Sequence, residues 1–207
     1  MKEAALVVDA CILITFGNAS ALDLITGIQR YRVATSARVV VEVSQPPARD
    51  EVEAAIRAGS LPIEAIDLSN DREQSALQRF DSRPAFKNRA DAEVLALAVC
   101  RDWILCSDEI TLRRTATSEI GIDRIAGSLD ILIWAVAERR LDQKEAEEFL
   151  PRLDIGPRLL ARLDADGLSF SDLLARVLAQ DYRTQSSANT SACSSTVFVA
   201  CSYLSGG

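Results

Sequence analysis

Three acids stand where a sheet would deliver them to one edge. Val7-Val8-Asp9 and Leu105-Cys106-Ser107-Asp108 each carry a short apolar run into a carboxylate, and Asp91 opens the most apolar helical stretch of the chain. In an open parallel sheet, ligands bind outside the carboxyl ends of the strands. Singly, Asp9 reads as a turn residue, Asp108 as a helix cap and Asp91 as a complement to a helix dipole. Together they fall at the same edge of one sheet. The chain contains no histidine. That removes Ser-His-Asp and Cys-His mechanisms, histidine-ligated zinc and histidine general bases. Its chemistry therefore uses carboxylates, hydroxyls, amines or thiols. Five cysteines are present and none form a CxxC pair, so they read as buried thiols in a reducing compartment rather than a zinc site.

The elements that must position these acids alternate. Ala4–Val8 reads as a buried strand, Ser20–Arg30 as a helix with Leu22, Ile25 and Ile28 on one face, and Arg32–Thr35 as a second strand. Ser36 can cap a helix over Ala37–Ser44, although Val39-Val40-Val41-Glu42-Val43 also suits a strand. The spacing predicts a helix over Asp50–Ala58 closed by Gly59, a strand over Pro62–Leu68 and helices over Asp71–Phe80 and Asp91–Arg101. Trp103–Cys106 reads as a strand, Ile110–Thr115 as a helix start, and Ile122–Ile125 as a last strand or a turn. Helices over Leu129–Arg139, Lys144–Arg152 and Ser171–Leu178 follow. This order argues for a three-layer α/β/α domain with a central parallel sheet, plus C-terminal helices. We expect this α/β domain to span 1–130 and a helical extension 131–181. A Ser/Thr-rich, disordered tail is expected over 182–207, where ten of the 26 residues are Ser or Thr.

Four segments now resemble the PIN domain family in order and spacing. They are Val8-Asp9-Ala10-Cys11-Ile12-Leu13-Ile14, Glu42, Ala90-Asp91-Ala92-Glu93-Val94-Leu95-Ala96-Leu97-Ala98, and Leu105-Cys106-Ser107-Asp108-Glu109. The likeness is to VapC-type toxins and their relatives, over roughly residues 5–130. It implies a metal-dependent ribonuclease whose four acids are Asp9, Glu42, Asp91 and Asp108, and a helix, not a strand, at Glu42. The chain departs from the family in two places. Cys11 stands where many members have Asn or Ser, and Cys106 stands two residues before Asp108, where many have Thr; Ser107 is the nearest hydroxyl.

Physical chemistry makes the same demand. Phosphodiester cleavage needs charge neutralised on the attacking and leaving oxygens, which Mg²⁺ or Mn²⁺ supplies while lowering the pKa of the attacking water. Such ions take oxygen ligands and keep several waters, so few carboxylates and no histidine are required. Asp9, Asp91 and Asp108 are assigned as metal ligands, with Glu42 opposite as a water-mediated ligand or general base. Arg113, Arg114, Lys87 and Arg89 lie near these acids in sequence and are candidates for RNA phosphates, Ser107 for a substrate hydroxyl contact. Glu93 and Glu109 are expected to point away.

The overall balance is acidic: 30 acids against 23 bases give a net charge of −7, which argues against non-specific coating of duplex DNA but not against a metal-bearing site. No signal peptide or membrane span is visible, so a cytoplasmic protein without membrane attachment is expected. The resemblance further implies an RNA substrate, a cognate antitoxin and a homodimer. The competing reading is a PIN-like interaction module whose site has lost activity. A phosphorylatable receiver-like domain needs a lysine near the acids after a late strand, and only Lys2, Lys87 and Lys144 exist.

Overall fold

The structure is a computed structural model and describes residues 5–84, 86, 88–153, 171–172 and 174–175. Strand β1 (Ala5–Val8) is buried at every position. A strand covered on both faces has no solvent side, so its sequence does not alternate. β1 pairs in parallel with β2 (Arg32–Ser36) on one side, Leu6 opposite Val33, and with β4 (Ile104–Cys106) on the other, Val7 opposite Leu105. β3 (Ile63–Glu64) pairs in parallel beyond β2 and β5 (Ile125–Ala126) beyond β4, giving the order β3-β2-β1-β4-β5. The chain builds the sheet outward from β1 in one direction, then returns and builds in the other. The crevice between the carboxyl ends of β1 and β4 is therefore the switch point of the topology.

Helices cover both faces, as a three-layer α/β/α domain requires. On one side, α6 (Arg89–Arg101) packs on β1, β2 and β4 and against α3 (Ala37–Glu42), α5 (Asp71–Asp81) and α7 (Ile110–Ile120). Surrounded in this way, α6 is buried from Ala90 through Ala98 without a polar face. On the other side α1 (Ala10–Asn18), α2 (Leu22–Thr26) and α4 (Ala48–Arg57) pack together, and α8 (Ser128–Ala137) joins α2, β5 and α9 (Gln143–Phe149). The expected domain boundary at residue 130 falls inside α8, whose residues from Ser128 to Ala135 are buried in the same core as the sheet. The expected 182–207 tail lies outside the described residues, as do most of the Ser171–Leu178 helix and Lys87.

Local chemistry sets the ends of these elements. The Ser36 hydroxyl accepts the Val39 N–H at 3.3 Å and starts α3 as a helix, against the strand propensity of its valines. Asn70 caps α5 from the Arg72 N–H, and Asp142 and Glu145 form a reciprocal capping box on α9. Periodicity assigns nothing to residues 10–18, yet α1 forms there. Its Ile12, Leu13 and Phe16 are fully buried, and a nearly continuous apolar run carries no 3.6-residue signal. The helix expected over Ser20–Arg30 shortens to α2 because Ser20 has a positive φ of 52° and the helix stops at Gly27. The strand expected over Pro62–Leu68 reduces to Ile63 and Glu64, paired with Thr35 and Ser36 of β2.

α1 and α4 approach closely at Gly17, where an added Cβ would lie 2.7 Å from the Cα of Ala48. In a free helix, alanine is favoured over glycine by about 1 kcal/mol. Here backbone stands in the way, and overpacking of this kind costs about 1–3 kcal/mol. Gly17→Ala is expected to destabilise the domain by about 1–2 kcal/mol in urea unfolding, the reverse of its helix-propensity effect.

Candidate metal centre

Asp9 leaves β1 at its carboxyl end and caps α1, its Oδ1 accepting the Ala10 N–H at 2.7 Å. Its other oxygen is held as firmly: Oδ2 accepts the Ser107 hydroxyl at 2.8 Å and the Cys11 thiol at 3.1 Å. Ser107 in turn leaves β4, with its N–H on the Ala126 carbonyl at 3.0 Å and its hydroxyl accepting the Glu109 N–H at 3.1 Å. The Cys11 sulfur accepts the Asp108 N–H at 3.3 Å. Ser107 and Cys11 thus tie the end of β1 to the loop after β4. Cys11 occupies a position where an amide or hydroxyl was expected, and performs the same bridging with a thiol. Burial beside Asp9 and Asp108 pushes that thiol well above its ordinary pKa, so it stays a neutral donor.

Asp91 stands in the first turn of α6, only 4% exposed. A carboxylate oxygen from each of Asp9, Asp91 and Glu109 lies within 4.8 Å of the others. Glu42 is the last residue of α3, and its pKa is raised by burial and then by Asp9 and Glu109. Asp91 is pushed up to about 7, first by burial and then by Glu109, Asp9 and Glu42. The helix dipole at the start of α6 favours a negative charge, but desolvation and three neighbouring carboxylates outweigh it. Hard oxygen donors converging without a histidine suit a divalent cation such as Mg²⁺ or Mn²⁺.

The sequence-derived set meets this geometry unevenly. Asp9 and Asp91 come together, and Glu42 is near enough for its charge to raise the Asp91 pKa. Asp108 turns the other way: its carboxylate accepts the Ser128 N–H at 3.0 Å and the Ser128 hydroxyl at 2.5 Å, at the start of α8. Glu109, expected to point away, is the acid beside Asp9 and Asp91. The signal for it was present. With Glu109 as the last acid, the residue two positions earlier is Ser107, a hydroxyl, and the departure at Cys106 disappears. Glu93 does point away, toward Arg38, whose backbone N–H it accepts at 3.4 Å.

Two of the expected substrate contacts are corrected. Ser107 is fully buried, and its hydroxyl is committed to Asp9 and Glu109, so it positions acids rather than substrate. Arg113 is 5% exposed and donates to the carbonyls of Ser107 at 2.6 Å and Ala126 at 2.8 Å. It is neither an RNA contact nor a solvated charge, but a clamp on the ends of β4 and β5. Behind it Asp130 is buried, with a pKa pushed up to about 7 by that burial against the opposing pull of Arg113 and the Gly127 N–H. Gly127 passes so close that a Cβ there would strike the Asp108 carboxylate and come within 2.9 Å of the Arg113 guanidinium. Arg114 remains exposed on α7.

Comparison with known proteins shows the family. A family model described as PIN domain matches residues 5–158. The chain belongs to the PIN domain family. The match runs past β5 and through α8 and α9, which explains why α8 shares the core of this PIN domain. No curated protein and no solved structure matches the chain. PIN domains are typically metal-dependent nucleases, and the acid cluster of this one fits a divalent ion. Among the described residues no helix is long and apolar enough to cross a membrane.

Two outcomes follow. Arg113→Ala leaves two buried carbonyls and the Asp130 carboxyl without their cation, and is expected to cost about 3 kcal/mol in urea unfolding. The Asp91 carboxyl has a raised folded pKa, so the folded state binds the extra proton and stability is lost as pH rises from about 4 through about 7. Asp130 contributes a loss over the same window. In chelator, the melting temperature is expected to fall across that range, and Asp91→Asn to flatten the fall. Mn²⁺ is expected to restore stability at pH 8 in the wild type, by about 2.7 kcal/mol at 100 times its dissociation constant, and far less in Asp91→Asn.

Proposed function

We propose that the protein is a Mg²⁺- or Mn²⁺-dependent endoribonuclease hydrolysing RNA phosphodiester bonds. The observation that carries this reading is the convergence of Asp9, Asp91 and Glu109 within 4.8 Å of one another at the topological switch point. Glu109, not Asp108, supplies the third metal-binding carboxylate. A bound divalent ion neutralises charge on the phosphate and lowers the pKa of the attacking water. Asp9 holds its place because Ser107 and Cys11 both donate to it. Glu42, whose pKa is raised by burial and then by Asp9 and Glu109, would take a proton from the attacking water as general base. Asp108 orients the start of α8 and, through its N–H on Cys11, the loop that carries Glu109.

The biological role we propose is that of the toxin in a toxin–antitoxin pair, acting in the cytoplasm as a homodimer. That part rests on the resemblance to VapC-type proteins. The reading as an inactive interaction module gains no support from Cys11, because the thiol makes the hydrogen bonds that hold Asp9.

Cleavage of a labelled RNA in Mn²⁺ tests the reading. Loss of a metal's outer partners alone costs 10–100-fold, so Asp9→Asn, Asp91→Asn and Glu109→Gln are each expected to lower the rate at least about 100-fold. Asp108→Asn is expected to lower stability by about 1 kcal/mol while keeping the Mn²⁺-induced rise in melting temperature. Absence of metal-dependent cleavage by the wild type refutes the enzyme. Loss of the Mn²⁺ response in Asp108→Asn but not in Glu109→Gln returns the third ligand to Asp108.

A further inference from the structure

A cleft of about 270 Å³ opens between α5 and α6, lined by Arg72, Ser75, Ala76 and Arg79 of α5 and by Val99 and Cys100 of α6. Arg72 and Arg79 are seven residues apart, about two helical turns, so they stand on one face of α5 with Ser75 and Ala76 between them. Cys100 lies nine residues beyond Asp91 on α6, about 14 Å along the helix axis, so the cleft is separate from the metal centre. We propose that this cleft binds a small phosphate-bearing anion, inorganic phosphate or a phosphate monoester, held between the guanidinium groups of Arg72 and Arg79. The proposal stands independently of the nuclease reading.

Local charge carries the argument. The chain as a whole stands at −7, yet the arginines on this face outrun their acids. Glu119 is divided between Arg79 and Arg83, at 2.9 and 2.6 Å. Asp102 pairs with Arg124 at 2.8 Å, and Glu64 and Glu73 hold Arg101 at 2.7 and 2.9 Å. Among the described residues no carboxylate pairs with Arg72, whose Nη2 donates to the Val99 carbonyl at 3.2 Å. Its charge is felt nearby: burial lowers the Arg124 pKa, and Arg72 adds to that effect against the pull of Asp102. Like charges gathered in this way repel, and an anion bound among them relieves the repulsion.

The kind of anion follows from the donors and the space. Two guanidinium forks and the Ser75 hydroxyl line the cleft. Phosphate offers three terminal oxygens to meet three donor groups, whereas a carboxylate offers two. Arginine matches phosphate oxygens in pairs. Arg79 lies over the Phe80 ring at 4.4 Å, which holds its guanidinium in place before a ligand arrives. Its pair with Glu119 is half exposed on the arginine side and worth little, so a phosphate can share that guanidinium at small cost. Size sets the upper limit. Small-molecule pockets usually start at about 300 Å³, and this cleft lies at that floor. Ala76 and Val99 supply an apolar wall for a short substituent on the phosphate.

The experiment is a calorimetric titration of the full chain with inorganic phosphate, glycerol phosphate and acetate, in chelator and at constant ionic strength. Phosphate or its monoester is expected to bind one per chain, at least about tenfold more tightly than acetate. Arg72→Ala/Arg79→Ala is expected to weaken that binding at least about tenfold, the loss of charge-assisted hydrogen bonds. Arg72→Lys/Arg79→Lys keeps the charge and removes the forks, and is expected to weaken binding by a smaller factor. It serves as the test if the alanine variant does not fold. The control Arg57→Ala/Lys144→Ala removes the same charge from side chains 71% and 84% exposed, on α4 and α9 across the sheet, and is expected to bind as the wild type does. Tighter binding of glycerol phosphate than of inorganic phosphate assigns the cleft to a phosphorylated metabolite, and equal binding assigns it to free phosphate. Absence of binding by the wild type up to about 10 mM overturns the proposal. Equal loss in the control overturns it too, as does acetate binding as tight as phosphate or binding that neither arginine variant weakens. A labelled uridine RNA whose affinity falls in Arg72→Ala/Arg79→Ala, while phosphate itself does not bind, overturns it in favour of a nucleic-acid contact.

Discussion

Mutual repulsion among carboxylates in a poorly hydrated crevice is the constraint around which this protein is built. Asp9, Glu42, Asp91 and Glu109 come from four separate segments, and none would approach the others unaided. Each is held by something stronger than the repulsion. Asp9 is fixed by a helix N–H, a hydroxyl and a thiol, and Asp91 by a helix buried on all sides. Glu42 ends a helix that Ser36 starts, and Glu109 follows a loop pinned by Ser107 and Cys11. The hydrophobic core supplies the energy, and the hydrogen bonds convert it into position. Burial and the neighbouring carboxylates raise the Asp91 pKa to about 7, and a cation bound there would displace a proton.

Much of this was legible in the sequence. Apolar runs ending in acids gave the strands β1 and β4 and the edge at which the site lies, and the unbroken apolar stretch of α6 announced a helix with no solvent face. Other features were silent. α1 carries no period because nearly every position inside it is apolar. β3 and β5 are two residues each, below the length at which alternation or composition means anything. The choice between helix and strand at Val39–Val43 depends on one hydroxyl, Ser36, and on residue 42 having to reach the site.

The arginine after β4 shows a different limit. Arg113 lies one turn from the acids in sequence, and charge type alone suggested phosphate. Its burial could not be read from sequence, because the groups it satisfies are backbone carbonyls, which every residue carries. A cation that closes two strand ends looks the same in sequence as one that faces solvent. Arg38 shows the converse: it lies far from Asp91 in sequence, yet in space it lines one cleft with Glu42 and with Ala90, the neighbour of Asp91.

Asp108 and Glu109 are neighbours of like charge, and the fold assigns them opposite tasks. Asp108 is answered from within, by the N–H and hydroxyl of Ser128. Behind it the enclosed Asp130 is answered by Arg113 and the Gly127 N–H. Negative charge on that side of the loop is thus compensated by the protein's own donors, and adding a cation there would gain little. Glu109 is set beside Asp9 and Asp91, and its charge raises the Asp91 pKa. The loop between β4 and α7 separates Asp108, which accepts from Ser128, from Glu109, which lies beside Asp9 and Asp91. Moving it by one residue would bring Asp108 to the crevice but strip the start of α8 of its cap and leave the buried Ser128 hydroxyl unpaired. The cost of that shift favours the register in which Glu109 lies beside Asp9 and Asp91.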